Sequence, residues 1–171
     1  MRYGIMCAAA GALLIGSQAV AQQKQQVSFK IPAENSEYIV SQNVDVGDAP
    51  NHIVRLFDTH ATLPNNAAMI NGLKLVEVFA RGAADLIDGH GGGLGYLVFV
   101  AENGDKFFSR NNVVAQQASG KLTATWAGTI TGGTGKLAGI KGTTRQFTNF
   151  DPSPGGVLSN TQYDIEYSIG K

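Results

Sequence analysis

The chain has 171 residues, with 13 Lys+Arg against 13 Asp+Glu and a single cysteine. So even a balance excludes the electrostatic footprint of a nucleic-acid or anionic-membrane binder. One cysteine excludes a disulfide framework, and the length suits one domain with a core of its own.

Residues 1–21 read as a secretory signal. Met1-Arg2 is a short basic start, Ile5–Ile15 is apolar, and Ala19-Val20-Ala21 fits small-residue cleavage before Gln22. The apolar run is shorter than the roughly 20 residues of a membrane span. An uncleaved anchor is the alternative to cleavage. Cys7 precedes the apolar run, so it is misplaced for lipid modification at the cleavage site. The expectation is an exported protein, periplasmic or extracellular, whose mature chain has no thiol.

Residues 22–35 are expected to form a flexible N-terminal arm, most polar over Gln22–Gln26, with 36–171 as a single β-domain. Val27–Ile31, Tyr38–Val46 and Ile53–Thr59 carry β-branched and aromatic residues, and Gly47–Asn51 is a turn cluster. Ala67–Ile70 suggests a helical turn. Leu73–Arg81 and Ala84–Asp88 are predicted as two strands separated by Gly82. Leu94–Ala101 and Lys106–Val114 flank Asn103-Gly104-Asp105, a strong hairpin signal.

Leu122–Ile130 alternates, with Leu122, Ala124, Trp126, Gly128 and Ile130 on one face. Tyr163, Ile165, Tyr167 and Ile169 do the same in the last strand. That period of two marks half-buried strands. No segment of ten residues carries a helical stripe. The predicted fold is therefore all-β, an eight-stranded antiparallel closed barrel rather than a sandwich. Leu94–Ala101 is apolar on both faces: Tyr96, Val98 and Val100 on one, Leu97, Phe99 and Ala101 on the other. One face must then be covered by a helix, a loop or another subunit.

The run Thr131–Gly142 contains Gly135-Lys136, but Leu137 stands where a phosphate loop needs Ser or Thr. A tight connection between strands is the better reading. Ile130-Thr131-Gly132-Gly133-Thr134-Gly135, with Leu137-Ala138-Gly139 and Gly142, resembles the penultimate connection of the allene oxide cyclase and dirigent-protein barrels. That resemblance covers roughly Tyr38 to Ile169. It implies a calycin-like eight-stranded barrel with an apolar cavity, often trimeric through its outer surface. Asn43 matches the family asparagine of the first barrel strand. The cyclase glutamate two residues earlier falls on Ser41 (or Gln42), and the cavity cysteine has no counterpart in the mature chain. No cofactor is implied.

Candidate site residues follow from the strand faces. Glu77 shares its predicted face with Leu73, Leu75 and Phe79; in a lumen it would be a desolvated acid or base. The opposite orientation leaves it solvated. His52, His60 and His90 are not at metal-ligand spacing. Tyr96, Trp126, Tyr163 and Tyr167 are core filler or the walls of a ligand cavity. Asn43 and Arg145 could add hydrogen bonds. The favoured function is binding of a small hydrophobic molecule in the lumen. An isomerase or cyclase using the same cavity is the alternative, and a structural or interaction barrel with a filled core is a third.

Overall fold

Period-two alternation is realised as strands along nearly the whole chain. The computed structural model describes residues 23–64, 68–118, 121–150 and 160–170; the predicted signal at 1–21 lies outside them. Ten strands follow in chain order: β1 (Gln25–Ile31), β2 (Ser36–Asp45), β3 (His52–Thr62), β4 (Met69–Ile70) and β5 (Leu73–Ile87), then β6 (His90–Ala101), β7 (Lys106–Ala118), β8 (Lys121–Gly133), β9 (Ile140–Phe150) and β10 (Thr161–Ile169). Two single 3-10 turns, at Ala33–Asn35 and Gly135–Leu137, are the remaining regular elements among the described residues. No helix among them is long and apolar enough to cross a membrane.

All pairings are antiparallel. The sheet runs β1-β10-β9-β8-β7-β6-β5-β3-β2, with β4 paired to β5 off this path. Eight antiparallel steps separate β1 from β2, so these two run in the same direction. Pro32, which has no N–H to donate, and the turn after it carry the chain from one into the other. The two ends of the sheet are joined by covalent chain, and no ladder between them is present among the described residues. This corrects the closed eight-stranded barrel: the sheet is all-antiparallel and rolled, but it has ten strands and an open hydrogen-bonded path. It also corrects the flexible arm at 22–35, because Gln25–Ile31 pairs with β10 over seven residues.

Hairpin chemistry follows the sequence. Asp88-Gly89 joins β5 to β6 with φ of 50° and 76°, the left-handed pair that a two-residue hairpin turn requires. Gly82 does not break β5. It lies in mid-strand where a side chain would strike Leu94 O at 2.4 Å and the Phe57 ring at 2.8 Å. Met69–Ile70 is a short strand rather than a helical turn.

The core fills one end of the rolled sheet. Leu75, Leu97, Phe99, Phe107, Leu137 and Ile140 are buried there. Phe99 of β6 and Phe107 of β7 stack at 4.4 Å between ring centroids, 7° from parallel. That contact decides which face of β6 points inward. The Thr131–Gly142 run ends β8, makes the second 3-10 turn and begins β9. Its Lys136 amide donates to Asp105 at 2.9 Å, a structural link between connections.

A polar layer crosses the interior above this core. Thr144 of β9 donates to Asn111 Oδ1 of β7 at 2.8 Å and lies 3.0 Å from Ser109 Oγ. Asn111 Nδ2 donates to Ser109 at 2.8 Å. All three side chains are buried, so each hydrogen bond replaces one with water. β8 lies between β7 and β9, and Gly128 is its residue in register with both Asn111 and Thr144. The missing side chain there lets the two reach each other.

Candidate functional site

The other end of the rolled sheet is not filled. A cavity there is lined from β2, β3, β5 and β7–β10. The void measures about 650 Å³ with the solvent that reaches it included, and about 50 Å³ is available to the centre of a water molecule. One water needs roughly 10–15 Å³ on that second scale, so the lumen has room for a small molecule. Its apolar walls include Phe57, Val78, Leu86, Val113 and Trp126. Trp126 meets Phe57 edge-on at 5.6 Å. Tyr163 stacks on Phe29 at 5.2 Å and meets Phe99 edge-on at 5.7 Å. Burial pushes the Tyr163 phenol well above its usual range, so it stays neutral at any physiological pH.

Polar groups punctuate these walls. Arg55 of β3 lines the lumen and is only 2% exposed. It donates to Ser41 Oγ at 3.0 Å and sits 5.2 Å from the Tyr38 ring centroid. A buried guanidinium is costly without such compensation. Thr148 of β9 and Thr161 of β10 share a hydrogen bond of 2.9 Å. Gln146 lies between Thr144 and Thr148 on the inward face of β9, and its Oε1 is buried with no hydrogen-bond partner among the described residues. Neither Arg55 nor Gln146 stood out in the sequence, though both fall on the inward alternation of their strands.

The predicted site residues separate into two groups. Trp126 and Tyr163 are in the lumen. Asn43 is in register with Arg55, on the lumen-side face of β2 but exposed. Tyr96, Arg145 and Glu77 are elsewhere. Tyr96 is 51% exposed on the outside, because the Phe99–Phe107 stack turns the other face of β6 inward. Arg145 is exposed on β9 between the inward Thr144 and Gln146. It lines an outer groove with Asp164 and Glu166.

Glu77 is displaced by a β-bulge. The β5–β6 register shifts between Leu75 and Glu77, so Leu75 points in, Val78 and Ala80 follow it, and Glu77 and Phe79 turn out. Glu77 Oε2 then lies 4.0 Å from His60 Nε2, with its side chain 40% exposed. His60 stacks on Phe79 at 4.7 Å, and Arg81 covers that ring while binding Asp58 at 2.9 Å. This is a surface cluster on the outer face.

A second histidine ties the Asp48 turn, β3 and β5 together on the outer face. His52 Nδ1 meets Asp48 and its Nε2 lies 2.7 Å from Asp85. The two hydrogen bonds, Asp48 first, raise the His52 pKa above 6.5, and the same bond lowers that of Asp48. A raised histidine value means stabilisation that is complete below about 6.5 and is lost as pH rises through the folded value. The lowered Asp48 value adds stabilisation that is lost as pH falls below about 3.8. The difference in melting temperature between the wild type and His52→Gln is therefore expected to be larger at pH 5.5 than at pH 8.5. A difference independent of pH would remove the ion pairs from the account.

Comparisons with known proteins carry the fold and no more. No family model matches the sequence, and no curated protein matches it. The chain is similar to the crystal structure of a protein of unknown function from the DUF3224 family of Shewanella oneidensis MR-1, with a TM-score of 0.52 and 12% identity. That match covers 87% of this chain and 99% of the other. Two pterocarpan synthase dirigent proteins, PsPTS1 and GePTS1, give TM-scores of 0.48 and 0.49, both at 14% identity. They cover 89% and 98% of this chain and 97% and 100% of their own.

Proposed function

We propose that the protein binds a small, largely apolar molecule in the lumen walled by Phe57, Trp126 and Tyr163. The observation that carries this reading is an unfilled, mostly apolar interior with a few fixed polar groups, the usual composition of a small-molecule site. A cyclase or isomerase acting there is less well supported. The carboxylate expected to do the chemistry, Glu77, lies on the outer surface, and the described lining holds no other. A structural barrel with a filled core is disfavoured by the void itself.

The proposal extends to export, supported by residues 1–21, and to kinship with the allene oxide cyclase and dirigent barrels, supported by the Ile130–Gly142 run. It extends also to self-association, as a trimer if that kinship holds. Val44, Val54, Leu56, Leu94, Tyr96 and Val114 are exposed on the outer face. Val44 is in register with Val54, and Leu56 with Leu94 through Ala83, while their other partners include Asp85, Arg81, Arg110 and Asn112. Large apolar side chains exposed on one face in this way support an interaction surface.

Native mass spectrometry of protein taken from its own cell tests these points together. The expected result is a chain beginning at Gln22, in a trimer, carrying a small mass that is released on denaturation. A bare chain whose Trp126 fluorescence is quenched by none of a panel of terpenoids, phenols and lipids would overturn the ligand reading. A monomer would overturn the assembly.

A further inference from the structure

The polar groups along the inward face of β9 are not equally provided for. Thr144 is bonded within the Ser109–Asn111 layer, and Thr148 is bonded to Thr161. Gln146, between them, is 6% exposed, and its Oε1 has no hydrogen-bond partner among the described residues. A buried acceptor left without a donor is destabilising and rare in folded proteins. Register sets Gln146 beside Trp126 on one side and Tyr163 on the other, so the orphaned amide is flanked by two aromatic walls. The space in front of these three residues is the lumen, which all of them line.

Resting on the lumen as a ligand site, we propose that Gln146 is its polar anchor, and that the ligand is an apolar ring compound bearing a neutral hydrogen-bond donor, an N–H or O–H group. The aromatic flanks select the ring. The amide oxygen selects the donor, because a ligand with one pairs the buried Oε1, while a ligand without one leaves it unpaired as before.

Isothermal titration with indole and benzofuran separates the two claims. These probes have nearly the same shape, but indole carries an N–H where benzofuran has a ring oxygen. The wild type is expected to bind indole about tenfold more tightly than benzofuran. Gln146→Leu should bring the ratio close to one by weakening indole about tenfold. If the leucine variant does not fold by circular dichroism, Gln146→Met serves in its place. Equal wild-type affinities, or a preference for indole that survives the substitution, would overturn the anchor and leave the lumen as a site. Failure of both probes to bind would overturn the lumen reading and the anchor with it.

Discussion

Trp126→Ala is expected to lower the unfolding free energy by about 3–5 kcal/mol and to abolish binding in the lumen. Trp126 is 3% exposed and stands in register between Val113 and Gln146. Its indole lies against Gly95, where even a Cβ would come within 2.0 Å of the ring. On its open side it meets the edge of Phe57. Removing the indole leaves a gap bounded by a glycine that cannot grow into it and by Ala124 two residues before it. The loss is then the transfer term plus an uncollapsed cavity. Trp126→Phe, which keeps a ring, should lose less than half as much. Urea unfolding followed by circular dichroism is the suitable readout, because Trp126 is the only tryptophan and its fluorescence disappears with the substitution. A loss below about 0.5 kcal/mol, the range of an ordinary surface change, would mean that the ring is not part of the buried core.

Gly128→Val should cost about 3 kcal/mol or more, for a different reason. A Cβ at Gly128 would lie 2.0 Å from the Arg110 carbonyl oxygen and 2.6 Å from both Asn111 Cα and Oδ1. Two of these contacts are backbone, so no rotamer change relieves them. The valine would also occupy the place where Asn111 and Thr144 meet, stranding the polar layer. Asn111→Ala added to Gly128→Val is therefore not expected to restore stability, since the clash with Arg110 O remains. Melting temperatures of the single and double variants decide this. Recovery in the double variant would show that the side-chain contact, and not the backbone approach, excludes a residue at 128.

Strands whose inward positions are hydrophobic were legible from alternation alone. Leu122–Ile130 and Tyr163–Ile169 read correctly, and Trp126 and Tyr163 were placed in the interior on that basis. β9 is not legible from alternation because both of its faces are mainly polar: Thr143, Arg145 and Asn149 outside with Phe147 the apolar exception, Thr144, Gln146 and Thr148 inside. Hydrophobic patterning says nothing about such a strand, which is held by its neighbours in the sheet. The same blindness hid Gln146, whose role depends on what β8 and β10 place beside it.

Two other departures have local causes. Glu77 changed faces because a bulge adds one residue to β5, and nothing in Leu73–Phe79 announces an insertion that only the partner strand defines. Tyr96 went to the wrong side because β6 is apolar on both faces. The choice between them was made by Phe99 meeting Phe107, a contact formed only once the hairpin closes. Gly82 lies within β5 and does not break it, because Phe57 crosses the strand there.

A crystal structure of the wild-type protein soaked in indole tests the central claim most directly. The account predicts electron density for the ring in the lumen against Trp126 and Tyr163, its nitrogen within hydrogen-bond distance of Gln146 Oε1. A lumen holding only water, with indole bound instead on the outer face around Leu94 and Tyr96, would contradict it.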